Sequence, residues 1–244
     1  MEEQLYRKFF EVETTHWWFT ARQKIVSDVI EHTVSLSPGA KVLDIGCGTG
    51  AILAMFQKKF DAYGTDTSPL AIEFCHQRGL ANAFCCTLDT FPQQELRFDF
   101  ITMLDVIEHI DNDIGVLREA YGFTKQGGHI LVTVPAYQFL WSRHDDLNHH
   151  KRRYRKSQLK SALETSGFTV EKLSYYNSLL FPTALVSRVA ERFIKPKTDT
   201  TLDLPPRFIN SILESIFGFE RFLLRKIPFP FGLSLIALAK KGNT

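Results

Sequence analysis

The stretch VLDIGCGTG, Val42 to Gly50, passes from an apolar run through one acid into three glycines, and an amphipathic segment starts at Ala51. A strand that ends in a glycine-rich turn and opens a helix brings bare backbone and a helix amino terminus up to a ligand, because no side chains stand in the way. The stretch therefore predicts a nucleotide-type turn at the edge of an α/β sheet.

Outward from this turn, short apolar runs alternate with amphipathic segments, the pattern of helices covering a mostly parallel sheet. Strands are expected at KVLDI (41–45), AYGTD (62–66), AFCCT (83–87), FDFITML (98–104), GGHILVTV (127–134), FTVEKLSYY (168–176) and LSLIALAKK (233–241). Helices are expected after Gly50, at Ser68–Pro69, near Asp111–Asn112 and near Ser157, each behind a capping or turn residue. LYRKFFEVE (5–13) and HWWFTARQKIVSDVIEHT (16–33) are helix-compatible and end at the breaker SPG. Residues 178–231 hold two amphipathic helix candidates separated by the polar KPKTDTTLDLPP (195–206).

A chain of 244 residues, 44% of them hydrophobic, can bury one sizeable core. The expected organisation is one domain over 1–244: a helical lid (1–40), a cofactor-binding core (41–177), a helical insertion (178–231), and a last strand with a tail (232–244). With 29 Lys and Arg against 27 Asp and Glu, the net charge of +2 does not fit a dedicated nucleic-acid binder, and no nucleic-acid partner is expected. Cys47, Cys75, Cys85 and Cys86 lack paired C-x-x-C spacing, so reduced, buried thiols are expected, with Cys85 and Cys86 on opposite faces of a strand. The charged amino terminus lacks the apolar core of a secretion signal, and no apolar window of about 18 residues occurs, which predicts a cytoplasmic protein.

Glycine spacing does not name the ligand. Gly46, Gly48 and Ala51 also satisfy the G-x-G-x-x-A of nicotinamide oxidoreductases. Asp44 separates the readings: a carboxylate two residues before the first glycine is unwelcome beside a pyrophosphate and suits a ligand with an amino group and a sulfonium. The segment LDIGCGTG resembles the first motif of class I S-adenosylmethionine-dependent methyltransferases, and YGTDTSP, CTLDTFP, FDFITMLDVIEHI and GGHILVTVP resemble their next four elements in order.

This resemblance implies a Rossmann-like fold, a seven-stranded mostly parallel sheet with an antiparallel last strand, and S-adenosyl-L-methionine as cofactor. By the same comparison Asp44, Gly46, Cys47, Gly48 and Gly50 form the cofactor loop, Asp66 with Thr67 meets the ribose, and Asp89 meets the adenine amino group. Thr90 or Phe91 would flank the ring, with Leu104, Asp105 and His109 completing the pocket. The spacing D-x-x-E-H over Asp105, Glu108 and His109 resembles the E-x-x-E-H of ubiquinone-biosynthesis O-methyltransferases, whose side chains can hold a divalent cation. Asp105 is a shorter arm than their first glutamate, so no metal is expected here and these three residues are the candidates if one binds. HWWFTARQ also resembles that group, which implies that Trp17 or Trp18 walls the substrate pocket while Arg22 pairs with the methionine carboxylate.

After the fifth strand, WSRHDDLNHHKRRYRK gathers His144, Asp145, His149 and His150. It resembles a group of bacterial methyltransferases with a G-H-x-R-R-Y pattern, on which His150, Arg152, Arg153 and Tyr154 fall and His149 takes the glycine's place. A histidine accepts a proton near neutral pH, so His150, then His144, is the expected general base, oriented by Asp145. Tyr137, His149, Arg152, Arg153 and Tyr154 are expected on the acceptor side. The expected reaction is methylation of a hydroxyl on a small or lipid-like acceptor. A nicotinamide oxidoreductase, or a non-catalytic module that binds the cofactor or a membrane, are the alternatives. Residues 178–231 are expected to pack on the domain, join a second subunit, or meet the cytoplasmic face of a membrane.

Overall fold

The computed structural model describes residues 3–191 and 203–242. In chain order these form α1 (Glu3–Val12), α2 (Trp17–Val29, continued by a π turn, Ile30–Val34), β1 (Lys41–Ile45), α3 (Ala51–Gln57), β2 (Asp61–Asp66), α4 (Pro69–Gln77), β3 (Ala83–Cys85) and β4 (Phe98–Leu104). The chain continues through α5 (Asp113–Phe123), β5 (Thr124–Pro135), α6 (Arg143–Leu147), α7 (Lys156–Thr165), β6 (Phe168–Tyr176), α8 (Phe181–Glu191), α9 (Arg207–Leu224) and β7 (Ser234–Lys241).

All seven expected strands are present, in the order β3-β2-β1-β4-β5-β7-β6. β1, β2, β3, β4 and β5 pair in parallel, and β7 runs antiparallel to both β5 and β6. Two boundaries differ from the sequence reading by more than one residue. β3 stops at Cys85, where its pairing with β2 ends, and β5 starts at Thr124 because an irregular register lets Thr124 face Phe98 before His129 faces Phe100.

Alternation along the central strands divides the core between the two faces of the sheet. Leu43, Ile101 and Val132 point to the side covered by α5 and α7, while Val42, Phe100 and Leu131 point to the side covered by α2, α3, α4 and α9. The cysteines divide as well: Cys47 and Cys75 are buried with their sulfurs 3.9 Å apart, whereas Cys85 is exposed and Cys86 half-buried, so burial of all four thiols is corrected.

The helical insertion and the amino-terminal helices form one layer. Asn210 on α9 accepts from the Trp17 backbone N–H and donates to the Thr15 carbonyl, each at 2.9 Å. Arg225 forks onto the buried Asp28 of α2, its Nε 2.8 Å from Oδ2. Glu220 is fully buried and accepts the backbone N–H groups of Ser178 and Leu179 at 2.7 Å each. The opposite face of α9 exposes Phe208, Ile212, Phe219 and Phe222. The expected linker (195–206) lies outside the described residues up to residue 202. No helix among the described residues is long and apolar enough to cross a membrane.

Glu220 carries the seam between the insertion and the end of β6. Its loss leaves the buried Ser178 N–H and the partly buried Leu179 N–H without an acceptor, so Glu220→Ala is expected to lower unfolding free energy by about 1–3 kcal/mol in denaturant titrations.

Candidate active site

β1 and β4 are neighbours, and the sheet order reverses between them, which opens a crevice outside the carboxyl ends of the strands. The glycine turn lies there. Gly46 and Cys47 donate their backbone N–H groups to the Thr65 carbonyl at 2.7 and 2.9 Å, which pulls the turn against β2. Gly46 has φ +69°, and a Cβ there would stand 2.5 Å from Val106 Cγ2. Gly48 has φ +55° with open space where its Cβ would be, so this residue keeps the crevice clear for a ligand.

Asp66 closes β2 beneath the turn and accepts the N–H groups of Gly48 and Ser68 at 3.0 and 2.9 Å. Burial raises its pKa, against which those backbone donors work. The Tyr6 hydroxyl of α1 lies 3.5 Å from Asp66 Oδ1, so α1 reaches over the turn. Glu13, in the loop after α1, is buried against Thr49 and accepts from Arg78 Nη2 at 2.7 Å. Arg78 Nε in turn donates to the Thr49 carbonyl at 2.8 Å. Tyr6, Glu13, Thr49 and Arg78 escaped the sequence reading, because partners from 29 to 65 positions apart leave no local pattern.

Asp44 is 2% exposed and accepts from Thr102 Oγ1 at 2.6 Å, below the turn rather than in the open crevice. Burial, aided by the charges of Asp66 and Glu13, pushes its pKa up to about 7, against the bond from Thr102 and the charge of Arg22. Asp89 and Thr90, expected near the adenine, are exposed, with both side chains hydrogen-bonded to Thr87. Thr67 is exposed and Leu104 buried at the end of β4. Phe91 as a ring-flanking residue is corrected: it is 1% exposed and packs edge-on against Phe84 and Phe123.

Arg22 donates to Asp105 Oδ2 at 2.6 Å, with its guanidinium 4.4 Å from the Trp18 ring centroid. Trp17 meets Phe217 of α9 edge-on with ring centroids 6.0 Å apart, and both tryptophans are half-buried against the same cluster. Asp105 has φ +59°, and its Oδ1 accepts from Thr133 Oγ1 at 3.1 Å. Both of its oxygens are engaged, so the Asp105, Glu108 and His109 set expected from spacing is not assembled.

A different set comes together. Glu108, His109 and His150 bring one ligand atom each to within 4.8 Å of one another. His150 Nδ1 is 2.8 Å from Asp145 Oδ1. Asp145 is fully buried, and its pKa is held well below the usual carboxylate range: burial opposes this, but the bonds from His150 and Arg153 outweigh it. Arg153 grips both Asp145 oxygens at 2.8 and 2.9 Å, and Ser142 N–H donates at 2.8 Å. Burial, with the neighbouring His150, lowers the His109 pKa to about 4, so its imidazole is neutral at pH 7. The Glu108 carboxylate is fully enclosed and neither oxygen has a hydrogen-bond partner.

The residues expected on the acceptor side have partners within the protein. Arg153 is committed to Asp145, and Arg152 bonds the Asp111 carbonyl at 2.9 Å and lies 3.3 Å from Asp113. Tyr154 is 3% exposed and donates to Asp113 Oδ2 at 2.7 Å. These bonds brace the loop. His149 is exposed with φ +55°, which explains why a glycine suits this position. Tyr137 stacks on Tyr175 at 4.9 Å, and His144 is half-buried beside Asn148, its ring 6.3 Å from that of His150.

Residues 18–173 match the family described as "Methyltransferase domain". A ubiquinone biosynthesis O-methyltransferase of Pseudomonas entomophila is 32% identical over 145 residues, a match covering 51% of this chain and 60% of that enzyme. The chain thus spans less than two thirds of that relative's length. Among solved structures, a SAM-dependent methyltransferase from Archaeoglobus fulgidus aligns with TM-score 0.54 and 21% identity over 90% of this chain and 94% of its own. The plantazolicin methyltransferase, solved with SAH, aligns with TM-score 0.62 and 16% identity over 98% and 91%. These two likenesses establish the shared fold.

Two outcomes are expected. Asp66→Ala weakens S-adenosylmethionine binding by about 1–3 kcal/mol in calorimetry, the cost of losing buried hydrogen bonds. The second concerns pH. The unfolded Asp44 carboxyl titrates near 4 and the folded one near 7, so between those values the folded chain holds more protons and this group's stabilisation falls as pH rises. The stability of wild type relative to Asp44→Asn should therefore decline from about pH 4 to about pH 7 and then level off, as read by denaturant titrations along that pH series.

Proposed function

The chain belongs to the class I S-adenosylmethionine-dependent methyltransferases, and we propose that it moves the sulfonium methyl group to a hydroxyl oxygen of a small or lipid-like acceptor. The transfer is an in-line displacement: the O–CH3 bond forms as the S–CH3 bond breaks, and the hydroxyl must lose its proton along the way. In this reading the proton leaves at His150. The observation that carries it is the bond from His150 Nδ1 to the buried Asp145, which orients the imidazole and leaves Nε2 as the nitrogen able to accept.

Two further features support the acceptor side. Asp105, bonded to Arg22, links α2 to this corner, because its charge acts on both Glu108 and His109. The exposed apolar face of α9, with Phe208 76% and Phe219 52% exposed, suits an acceptor delivered from a lipid surface. The nicotinamide alternative is disfavoured by the match of residues 18–173 to a methyltransferase domain.

Incubation with S-adenosylmethionine and a panel of phenolic and catecholic acceptors, with and without polyprenyl tails, should yield S-adenosylhomocysteine and an O-methyl product. A melting temperature raised by a nicotinamide cofactor and not by S-adenosylmethionine would overturn the reading. His150→Ala should lower single-turnover rates about 10²–10⁴-fold while cofactor binding persists; wild-type rates in that variant would remove His150 from the mechanism.

A further inference from the structure

We propose that α1 is a hinged cover over the cofactor crevice, latched by Glu13 on Thr49 and Arg78, and that S-adenosylmethionine enters and S-adenosylhomocysteine leaves only when this cover lifts. The device acts on the cofactor alone, so it stands apart from the choice of acceptor and from the part of His150. It rests on the reading of Asp66 as the acid that meets the ribose.

The first reason is the carboxylate of Asp66. A carboxylate offers about four acceptor sites. The Gly48 and Ser68 N–H groups take two of them at 3.0 and 2.9 Å, and the Tyr6 hydroxyl takes a third at 3.5 Å. The Thr67 N–H acts on the same group. At most one site is left, whereas two ribose hydroxyls ask for two. The backbone donors belong to the glycine turn and to the cap of α4, so they cannot withdraw without unfolding either element. Tyr6 is the donor that yields, because its bond is the longest of the three and its helix lies at the edge of the fold.

The second reason is how lightly α1 is held, and where. Of its ten residues only Val12 is buried. It rests on α4 through Phe10, stacked on Phe74 with ring centroids 4.4 Å apart, and on α2 through Phe9, edge-on to Phe19 at 5.5 Å. A helix with so little buried apolar surface opens at a cost well below that of the whole fold. Polar contacts concentrate instead at its base. Glu13 is 7% exposed and accepts from Thr49 Oγ1 and from Arg78 Nη2, the latter at 2.7 Å. The same arginine donates to the Phe10 carbonyl at 3.2 Å and to the Thr49 carbonyl at 2.8 Å. Thr49 belongs to the glycine turn, so Arg78 ties α1, the turn and the end of α4 together.

The hinge lies between this latch and α2. The chain turns at the exposed Thr14 and Thr15, and beyond them Asn210 of α9 accepts from the Trp17 N–H and donates to the Thr15 carbonyl. These bonds fix the start of α2 to the domain, so α1 swings about the turn while α2 stays in place. A cofactor whose ribose meets Asp66 lies beneath Tyr6, and the cover must open before it can be exchanged. Opening of this kind sets turnover in many enzymes.

The test is stopped-flow mixing of the full chain with S-adenosylmethionine, read by intrinsic tryptophan fluorescence, beside hydrogen exchange of wild type with and without S-adenosylmethionine. In wild type the amides of α1 should exchange faster than those of α2 and slow down when the cofactor is added. Glu13→Gln should raise the association and dissociation rates together, by about 10-fold, while the Kd moves by less than about threefold, a pattern that loss of stability alone does not produce. Tyr6→Phe should raise the association rate and lower the Kd about 2- to 10-fold, since only the cofactor-free form makes the Tyr6 bond. Wild type that binds S-adenosylmethionine while the α1 amides exchange no faster than those of β1 and β4 overturns the cover, and this arm needs no variant. Wild-type rates in Glu13→Gln overturn the latch. Weaker binding by Tyr6→Phe overturns the competition at Asp66 and makes Tyr6 a cofactor contact. Asp66→Ala that binds S-adenosylmethionine as wild type does overturns the ribose reading of Asp66, and with it that competition, while the rates of Glu13→Gln still decide the latch.

Discussion

The structure depends on how the turn after β1 is held against β2. Two consecutive N–H groups, Gly46 and Cys47, converge on the Thr65 carbonyl, and Gly48 N–H meets the Asp66 carboxylate. This curls the backbone so that Gly46, Gly48 and Gly50 all take positive φ, and α3 starts from the end of the curl. The polar groups of the turn thus find partners on its inner side, while its outer side stays bare at Gly48. The crevice follows from this arrangement of backbone bonds, with no contribution from a large side chain.

A second layer sits on that turn and is built from both ends of the chain. α1 covers it through Tyr6, and Glu13 reaches Thr49 and Arg78. α2 is in turn clamped by α9 through Asp28 and Arg225, and through Asn210 at its first turn. The cover of the crevice therefore rests on the insertion, although the insertion lies far away in sequence. Exposed phenylalanines on the outer face of α9 and buried Phe217 on its inner face show that the helix is apolar on both sides for different reasons. The inner stripe docks against α2, while on the outer stripe Phe222 meets Phe219 and the guanidinium groups of Arg221 and Arg225.

The sheet was legible in the sequence because its central strands are buried on both faces and read as unbroken apolar runs, and because glycine, serine and asparagine mark the helix starts. Pairing decided the remainder. β3 ends where β2 offers no more partners, and β5 starts early because of an irregular register, neither of which composition encodes. Trp17 and Trp18 show the limit more sharply. Adjacent helical residues point about 100° apart, so the two rings meet different neighbours, Trp17 the Phe217 of α9 and Trp18 the guanidinium of Arg22, which the sequence alone does not assign. Arg152, Arg153 and Tyr154 were legible as a chemical cluster but not as a brace, because their partners Asp111, Asp113 and Asp145 lie elsewhere in the chain.

The same point governs the acids at the crevice. Asp105, Asp145 and Glu108 lie in one corner, and the chain supplies two arginines that each take one carboxylate, Arg22 for Asp105 and Arg153 for Asp145. Glu108 is left as the acid that neither arginine holds, although it is the most enclosed together with Asp145. Had the fold required only neutralised carboxylates here, a glutamine at position 108 would remove the charge at equal size. Burial raises the Glu108 pKa well above its ordinary value, with the charge of Asp105 adding to the effect, so the folded chain holds this group as a weak acid that a positive partner would ionise. The arginines satisfy the residues that shape the corner, and the carboxyl they leave over faces the two imidazoles.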